Sequence, residues 1–273
     1  MVEIKSSGIT DVGKRRKQNE DSFFCNDGMG LYVVADGMGG HKAGEVASRL
    51  VVETIRDYMD PNRTDPLSEN LVDADENLSE EAKRLLAGIQ LSNRVVHQTA
   101  KRNEDYKGMG STVSAVFFTE KTFIVANVGD SGIYLIRDGK IELLSVPHTL
   151  IAEQAELDPE NAELLWGDFK HVLTRAMGVS DSVKADINEI PFYKGDIIVI
   201  CSDGLSDKAT PEEILEMANT RRSDKACREL VDLANARGGE DNITAIVLRI
   251  KSCGNHSGNF IGRLIQTLKK YLA

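Results

Sequence analysis

Cysteine is scarce in this sequence, with four residues in 273, at positions 25, 201, 227 and 253, and no C-x-x-C pair. A chain of this length can bury a sizeable core without cross-links, so we expect no disulfide framework. Long apolar runs are also missing, since no stretch approaches the roughly 18 residues of a membrane span. The first 30 residues contain no apolar signal-peptide core. Together these absences predict a cytoplasmic protein.

An excess of positive charge is missing as well. The chain has 33 Lys and Arg against 43 Asp and Glu, a net charge of −10, and the acids are scattered rather than grouped in blocks. Such a balance disfavours duplex DNA or an anionic membrane as the main partner, so no nucleic-acid partner is predicted. An anionic substrate would need cations brought to the protein.

Short apolar runs joined by turn residues predict most of the strands. They include DSFFCND and LYVVADG near the N-terminus, four runs between residues 111 and 146, and KADINEIPF, DIIVICSDG and NITAIVLRI further on. Asp138-Gly139 is a strong hairpin signal between two of these runs. Consecutive strands joined in this way predict antiparallel sheets.

Helical periodicity predicts two long helices and two shorter ones. Apolar residues recur on one stripe of residues 43–59, and Ser79 is placed to cap a second amphipathic helix. Thr210 and Glu213 form a capping-box pattern, and Ser223 begins another helix. The pattern of strands and paired helices predicts an α+β fold with antiparallel sheets covered by helices. Polar residues 148–172, around Trp166, are interpreted as a covering flap.

Two units are predicted, a catalytic domain over residues 1–251 and a tail over residues 252–273. The tail begins with a Gly/Ser/Asn-rich segment and continues with apolar residues on one helical face and Arg263, Lys269 and Lys270 elsewhere. Two interpretations stay open. The tail either docks on its own domain or contacts a partner or membrane surface.

Acidic residues follow apolar strands at two points, Asp36 after LYVVA and Asp203 after IIVICS. A single Asp-Gly is usually a turn. However, an ionised carboxylate at the end of a buried strand needs a cation or several hydrogen bonds. Further acids occur at 19–21 and 239–242, and an all-oxygen set of this kind suits Mg²⁺ or Mn²⁺ rather than structural Zn²⁺.

Carboxylates around two cations can activate a water molecule and direct it at phosphorus. A further group must hold the remaining phosphate oxygens, and Arg16, four residues before Glu20, is the best candidate by sequence. The alternative is that Arg16 belongs to a solvated basic face, because Lys14, Arg15 and Lys17 surround it.

Seven sequence blocks, in order, resemble a known family. They are DVGKRRKQNEDS, VVADGMGGHKAGEVAS, GMGST, ANVGDSG, VLTRAMG, CSDGLSD and GGEDNIT, and they span residues 3–250. The set is similar to the metal-dependent protein phosphatases, in the bacterial form of the type 2C serine/threonine phosphatases. The resemblance implies a four-layer αββα sandwich, in which pairs of helices flank two antiparallel sheets.

The resemblance also implies a centre with two Mn²⁺ or Mg²⁺ ions and a weaker third. By position, Asp36 would bridge the two metals, and the Gly37 carbonyl would bind one of them. The other implied metal residues are Asp203 and Asp241 as direct ligands, Glu20 and Asp21 through water, and Asp130 with Asp203 at the third site. Arg16, Asp36, Asp203 and Asp241 are thus the implied catalytic residues.

Substrate binding is assigned by the same resemblance to Arg16, which would grip the phosphate, and to Asn242 beside it. Water activated at the metals would attack the phosphomonoester directly, without a phosphoenzyme. The implied substrates are phosphoserine and phosphothreonine proteins, with a Ser/Thr kinase as the opposing enzyme. A monomer is expected.

The sequence departs from the family pattern at Gly132, where an arginine is usual, and at Pro147, where an acid is usual. These departures concern flap docking and the third metal rather than the main centre. Met38 stands where animal members have a histidine, so the general acid is unassigned. His41 lies nearby and is interpreted as structural.

Parts of the sequence suggest three other classes of protein. A dinucleotide site would need glycine at position 42, where Lys42 stands. A cysteine phosphatase using Cys201 would need arginine at position 207, which is aspartate. A catalytically inactive binding module of the same fold is the third, and the retained Asp36, Asp203 and Asp241 argue against it.

Overall fold

The structure, a computed structural model, describes residues 2–39, 43–62, 77–157, 169 and 171–252. Its strands are β1 (Glu3–Asp11), β2 (Asp21–Asn26), β3 (Leu31–Met38), β4 (Gly110–Ser111), β5 (Val113–Phe118), β6 (Thr122–Val128), β7 (Gly132–Arg137), β8 (Lys140–Leu143), β9 (Asp186–Pro191), β10 (Ile197–Cys201) and β11 (Ile243–Ser252). Its helices are α1 (Ala43–Met59), α2 (Glu80–Arg102), α3 (Leu150–Leu157), α4 (Asp203–Ser206), α5 (Pro211–Thr220) and α6 (Ser223–Ala236).

The strands form two antiparallel sheets, as the sequence predicts. One sheet has the order β1-β11-β10-β7-β8, and the other has β2-β3-β5-β6-β9, with β4 paired to β3. Asp138 and Gly139 join β7 to β8 with φ values of 51° and 73°. Positive φ at both central residues suits a two-residue hairpin turn, which confirms the Asp-Gly signal.

Three apolar clusters lie between four layers. Alternate residues of β3 face opposite ways, so that Leu31 and Val33 pack towards α1 and α2 whereas Tyr32 and Val34 pack between the sheets. Strand β10 alternates in the same manner, with its other face against α5 and α6. Burial of both faces explains why β10, and β3 from Leu31 to Ala35, consist of successive hydrophobic residues. The layers are therefore αββα, as the family resemblance implies.

The helices begin where the sequence signals predict. Ser79 caps α2 by accepting a hydrogen bond from the Ala82 N–H at 3.1 Å. Thr210 and Glu213 form a reciprocal capping box at the start of α5. Each cap satisfies backbone donors of a first turn, which fixes the point at which the chain enters the helical layer.

Strand β1 is an element that the sequence patterns do not predict. It pairs with β11 from Glu3 to Asp11 at the edge of its sheet. Apart from Ser252, the predicted tail (residues 252–273) lies outside the described residues, so the domain boundary stays a prediction. Trp166 of the predicted flap and His41 also lie outside them.

Within the described ranges, Cys25, Cys201 and Cys227 are free thiols. No described helix has the length and apolar character needed to span a bilayer.

Candidate metal centre and active site

Acidic residues from both sheets meet at one end of the sandwich. Asp36 lies near the end of β3, opposite Asp21 in the β2–β3 ladder. Asp203 follows β10 from the other sheet, and Asp241 precedes β11. The two sheets stack face to face, so these strand ends lie side by side and bring together residues that are far apart in the sequence.

Asp21 is buried, with 7% of its surface exposed. Its Oδ2 accepts hydrogen bonds from Thr244 Oγ1 at 2.6 Å and Ser202 Oγ at 2.7 Å, whereas its Oδ1 is buried without a hydrogen-bond partner. Burial, with a smaller contribution from the charge of Asp203, raises the pKa of Asp21 to about 7, although the hydrogen bonds from the two hydroxyl groups act to lower it.

The carboxyl groups of Asp36 and Asp203 are in hydrogen-bond contact. Burial, together with the charges of Asp21 and Asp203, raises the pKa of Asp36 well above its ordinary value. Burial also acts to raise the pKa of Asp203, but hydrogen bonds from His171 and Asp36 outweigh it and hold that pKa below its usual range. In the metal-free protein, ionisation of Asp36 is therefore opposed both by burial and by the neighbouring charges.

Gly37 and Glu20 lie where β3 meets the N-terminus of α1. A Cβ on Gly37 would stand 2.0 Å from the carbonyl oxygen of Gly44, so only glycine fits beside the helix. The Gly44 N–H donates to the Glu20 carboxylate, and burial raises the pKa of Glu20. The positive end of α1 thus faces the cluster of carboxylates.

Arg16 reaches the cluster from the segment between β1 and β2. Its Nη2 donates to Asp241 Oδ2 at 2.7 Å, and half of its side chain is exposed. This placement favours the site interpretation of Arg16 over a solvated basic face. A guanidinium at the mouth of a cluster of carboxylates is the group that can bind an incoming phosphate.

Asn242 fastens the segment that carries Arg16. Its Oδ1 accepts from the Glu20 N–H at 2.7 Å, and its Nδ2 donates to the carbonyls of Gln18 at 2.9 Å and Val12 at 3.0 Å. With 3% of its surface exposed, Asn242 lies beneath the site surface. Through these contacts Asn242 positions the segment that carries Arg16.

Asp130 lies beyond the main cluster, next to a histidine, His171, that the sequence motifs do not indicate. Ligand atoms of Asp130, His171 and Asp203 all lie within 4.8 Å of one another. His171 Nδ1 is 3.5 Å from Asp203 Oδ2, and burial raises the pKa of Asp130 to about 7. No motif contains His171, because it comes from the predicted flap and meets the two acids only in the fold.

The same three residues line a cleft of about 240 Å³. Gly132 and Pro147, the two departures from the family pattern, line it too. A Cβ on Gly132 would lie 2.7 Å from the Tyr134 ring, so an arginine there would displace this tyrosine. Because residue 132 is glycine, the Tyr134 ring can occupy this part of the cleft wall.

The chemistry of this donor set suits divalent cations. Asp21 Oδ1 and Asp203 Oδ1 are buried without hydrogen-bond partners among the described residues. Several carboxylates share a space in which each raises the pKa of its neighbours. Positive charge would relieve this repulsion and satisfy both oxygens. Fold and donor set together define a metalloenzyme with an oxygen-rich site.

Comparisons with known proteins agree with this class. The family model for protein phosphatase 2C matches residues 13–247. A serine/threonine phosphatase, Stp, of Listeria monocytogenes is 34% identical over 247 residues, covering 88% of this chain and 93% of its own. The chain belongs to the protein phosphatase 2C family.

Solved structures support the same assignment. The serine/threonine phosphatase PstP/Ppp of Mycobacterium tuberculosis superposes with a TM-score of 0.80 at 29% identity, covering 92% of this chain and all of that one. A PstP catalytic domain in complex with two manganese ions has a TM-score of 0.74 at 29% identity, covering 91% and 99% of the two chains.

Proposed function

We propose that the site formed by Glu20, Asp21, Asp36, Asp203 and Asp241, called here the carboxylate cleft, hydrolyses phosphoserine and phosphothreonine monoesters of proteins with the help of Mn²⁺ or Mg²⁺. The observation that carries the proposal is the set of buried, uncompensated carboxylates at the ends of β2, β3 and β10. Membership of the protein phosphatase 2C family makes the chain a serine/threonine protein phosphatase. The two manganese ions of the related PstP domain support two metals at this position.

Two ions would be held by Asp36, the Gly37 carbonyl, Asp203 and Asp241, with Glu20 and Asp21 acting through water. A weaker third would lie at Asp130 and Asp203, and the geometry adds His171 to this set.

When bound, the metals supply the positive charge that acidifies water and neutralises phosphate oxygens. Arg16 binds the phosphoryl oxygens that face solvent, and Asn242 keeps the Arg16 segment in place. The phosphoryl group is transferred to water rather than to a side chain of the protein. Cys201 is no nucleophile, because burial raises the pKa of its thiol to about 12.

Metal dependence tests the proposal directly. The full chain is expected to hydrolyse p-nitrophenyl phosphate and a phosphothreonine peptide with Mn²⁺, to lose this activity in EDTA and to regain it when Mn²⁺ is restored. A phosphotyrosine peptide serves as the comparison for substrate class. Equal turnover with and without chelator would contradict the proposal.

Replacing Arg16 separates phosphate binding from metal binding. In Arg16→Ala, kcat/KM should fall about 10- to 100-fold, mainly through KM, because charge-assisted hydrogen bonds to phosphate are lost. Mn²⁺ affinity, measured by calorimetry, should stay the same or rise slightly, since Asp241 loses its partially exposed ion-pair partner.

Arg16→Lys is the matched control, because it keeps the positive charge but loses the bidentate geometry of the guanidinium group. Its KM should lie between those of the wild type and Arg16→Ala. Weaker Mn²⁺ binding in Arg16→Ala would show that Arg16 supports the metal centre instead of the phosphate.

The proposal extends to the setting of the reaction. Phosphoprotein substrates require a kinase that forms the phosphoesters, so a Ser/Thr kinase is the expected opposing enzyme. The free thiols of Cys25, Cys201 and Cys227 agree with a cytoplasmic location. A monomer suffices in this proposal, because the residues assigned to the cleft all come from one chain.

A further inference from the structure

A second polar cavity, of about 620 Å³, lies at the other end of the β1–β11 sheet. Its walls come from the start of β1, the end of β11 and the junction between α5 and α6. Arg249, on the cavity wall, comes eight residues after Asp241. At about 3.3 Å per residue, β11 separates the two by about 26 Å. This cavity is therefore distinct from the carboxylate cleft.

The cavity is cationic in a protein that is acidic overall. Five basic side chains line it against one acid, Asp224; the basic residues are Lys5, Arg221, Arg222, Arg249 and Lys251. Two of the arginines have acidic partners, since Arg221 binds Glu229 at 3.1 Å and Arg222 binds Asp224 at 3.2 Å.

Among the described residues, Lys5, Arg249 and Lys251 have no acidic partner within 4.0 Å. The cavity therefore concentrates uncompensated positive charge, and this charge favours an anionic ligand.

Arg249 also holds an unused hydrogen-bond donor. Its Nη2 donates to the carbonyls of Ala218 and Arg221, which fixes the guanidinium group against the α5–α6 junction. Its Nε is buried and has no partner among the described residues. A ligand oxygen at this donor would satisfy a group that is otherwise desolvated without compensation.

Helix α6 adds backbone donors to the same cavity. Arg222 occupies the N-cap position and gives no side-chain hydrogen bond to the first turn. The N-terminal N–H groups and the positive end of the helix dipole are thus available to an anion. Ser223 Oγ donates to the Lys5 carbonyl at 3.1 Å and ties the helix start to β1.

We infer that this cavity binds a small soluble compound carrying two or more phosphoryl groups. A single phosphate would leave most of the volume and charge unmatched, whereas a diphosphate can meet the Arg249 donor, the lysines and the α6 N-terminus together. This binding is separate from hydrolysis at the carboxylate cleft and needs none of its residues.

Calorimetry with inorganic pyrophosphate tests the inference, using the full chain in EDTA so that no metal in the cleft can bind the probe. Saturable binding with one site per chain is expected, and it should weaken as salt is raised. In the double variant Lys5→Gln with Lys251→Gln, the dissociation constant should rise at least about 10-fold. Both lysines are exposed, so this variant should keep the fold.

Two controls separate this site from general charge effects and from the cleft. Lys101→Gln with Lys121→Gln removes two exposed lysines elsewhere and should leave pyrophosphate binding unchanged. Arg16→Ala should leave it unchanged as well. Arg249→Gln removes the buried donor and should weaken binding about 10-fold.

Three outcomes would overturn the inference. One is no saturable pyrophosphate binding, and another is binding that is lost in Arg16→Ala but kept in the cavity variants. The third is a lysine-dependent association with vesicles of phosphatidylcholine and phosphatidylglycerol without pyrophosphate binding. That last result would mean that the basic residues of the cavity bind anionic lipid headgroups rather than a soluble compound.

Discussion

Asp36→Asn is expected to lower kcat at least about 10³-fold, a loss of about 4 kcal/mol of transition-state stabilisation. The same change is expected to make the metal-free protein more stable. Burial and the charges of Asp21 and Asp203 raise the pKa of Asp36 in the fold, whereas the carboxyl group ionises freely in the unfolded chain. Asparagine removes this advantage of the unfolded state, so the metal-free variant should have the higher free energy of unfolding at pH 7.

With Mn²⁺ bound, the wild-type protein should instead be more stable than Asp36→Asn. A ligand at about 100 times its dissociation constant stabilises a folded protein by about 2.7 kcal/mol, and the variant should lose much of this gain. Urea unfolding of both proteins, in EDTA and in Mn²⁺, measures the effect. Asp232→Asn, an exposed carboxylate change on α6, is the control and should shift neither curve. A variant that is fully active, or less stable than wild type in EDTA, would contradict the assignment.

Much of the fold could be predicted because burial leaves a direct mark on the sequence. Strand β3 is apolar at every position from Leu31 to Ala35, since one face packs on helices and the other on the second sheet. Caps such as Ser79, and the hairpin turn at Asp138-Gly139, are set by local backbone geometry and are equally visible.

Strand β1 escaped prediction for a physical reason. It lies at a sheet edge, and its residues from Lys5 to Ser7 are polar or exposed. Its pairing with β11 rests on backbone hydrogen bonds, which any residue except proline can make. A strand held in this way carries little hydrophobic pattern.

Some residues of the candidate site could likewise be predicted from the sequence, whereas others could not. Asp36 and Asp203 could be found because each follows a run of buried apolar strand residues, and an acid at such a place needs an explanation. His171 could not, because no rule of spacing connects it with Asp130 or Asp203. The positioning task of Asn242 was equally hidden, since its partners lie more than 220 residues away in sequence.

The metal-free protein is expected to lose stability as pH rises from about 4 to about 7, with Asp21 as a main cause. Burial raises the pKa of Asp21 to about 7 in the fold, whereas it stays near 3.8 in the unfolded chain. Between these values the unfolded chain has released the proton and the folded chain still holds it. Each pH unit then costs up to about 1.4 kcal/mol, and the loss levels off above pH 7.

Asp21→Asn isolates this contribution, because its amide oxygen can still accept the hydrogen bonds of Ser202 and Thr244. In EDTA, the variant and wild type should have nearly equal free energies of unfolding at pH 4. The variant should become more stable by about 3 kcal/mol at pH 7. Asp232→Asn should instead follow the wild-type curve throughout.

With saturating Mn²⁺, the free energy of unfolding of the wild-type protein should rise with pH instead of falling. Metal ligands must be deprotonated, so protons compete with Mn²⁺ below pH 7 and the stabilisation by metal grows as pH rises. Asp21→Asn should show a smaller gain, since a neutral amide holds metal-bound water less well than a carboxylate. A stability difference in EDTA that stayed constant or shrank towards pH 7 would mean that Asp21 is ionised in the fold without metal, and the buried oxygen would need another explanation.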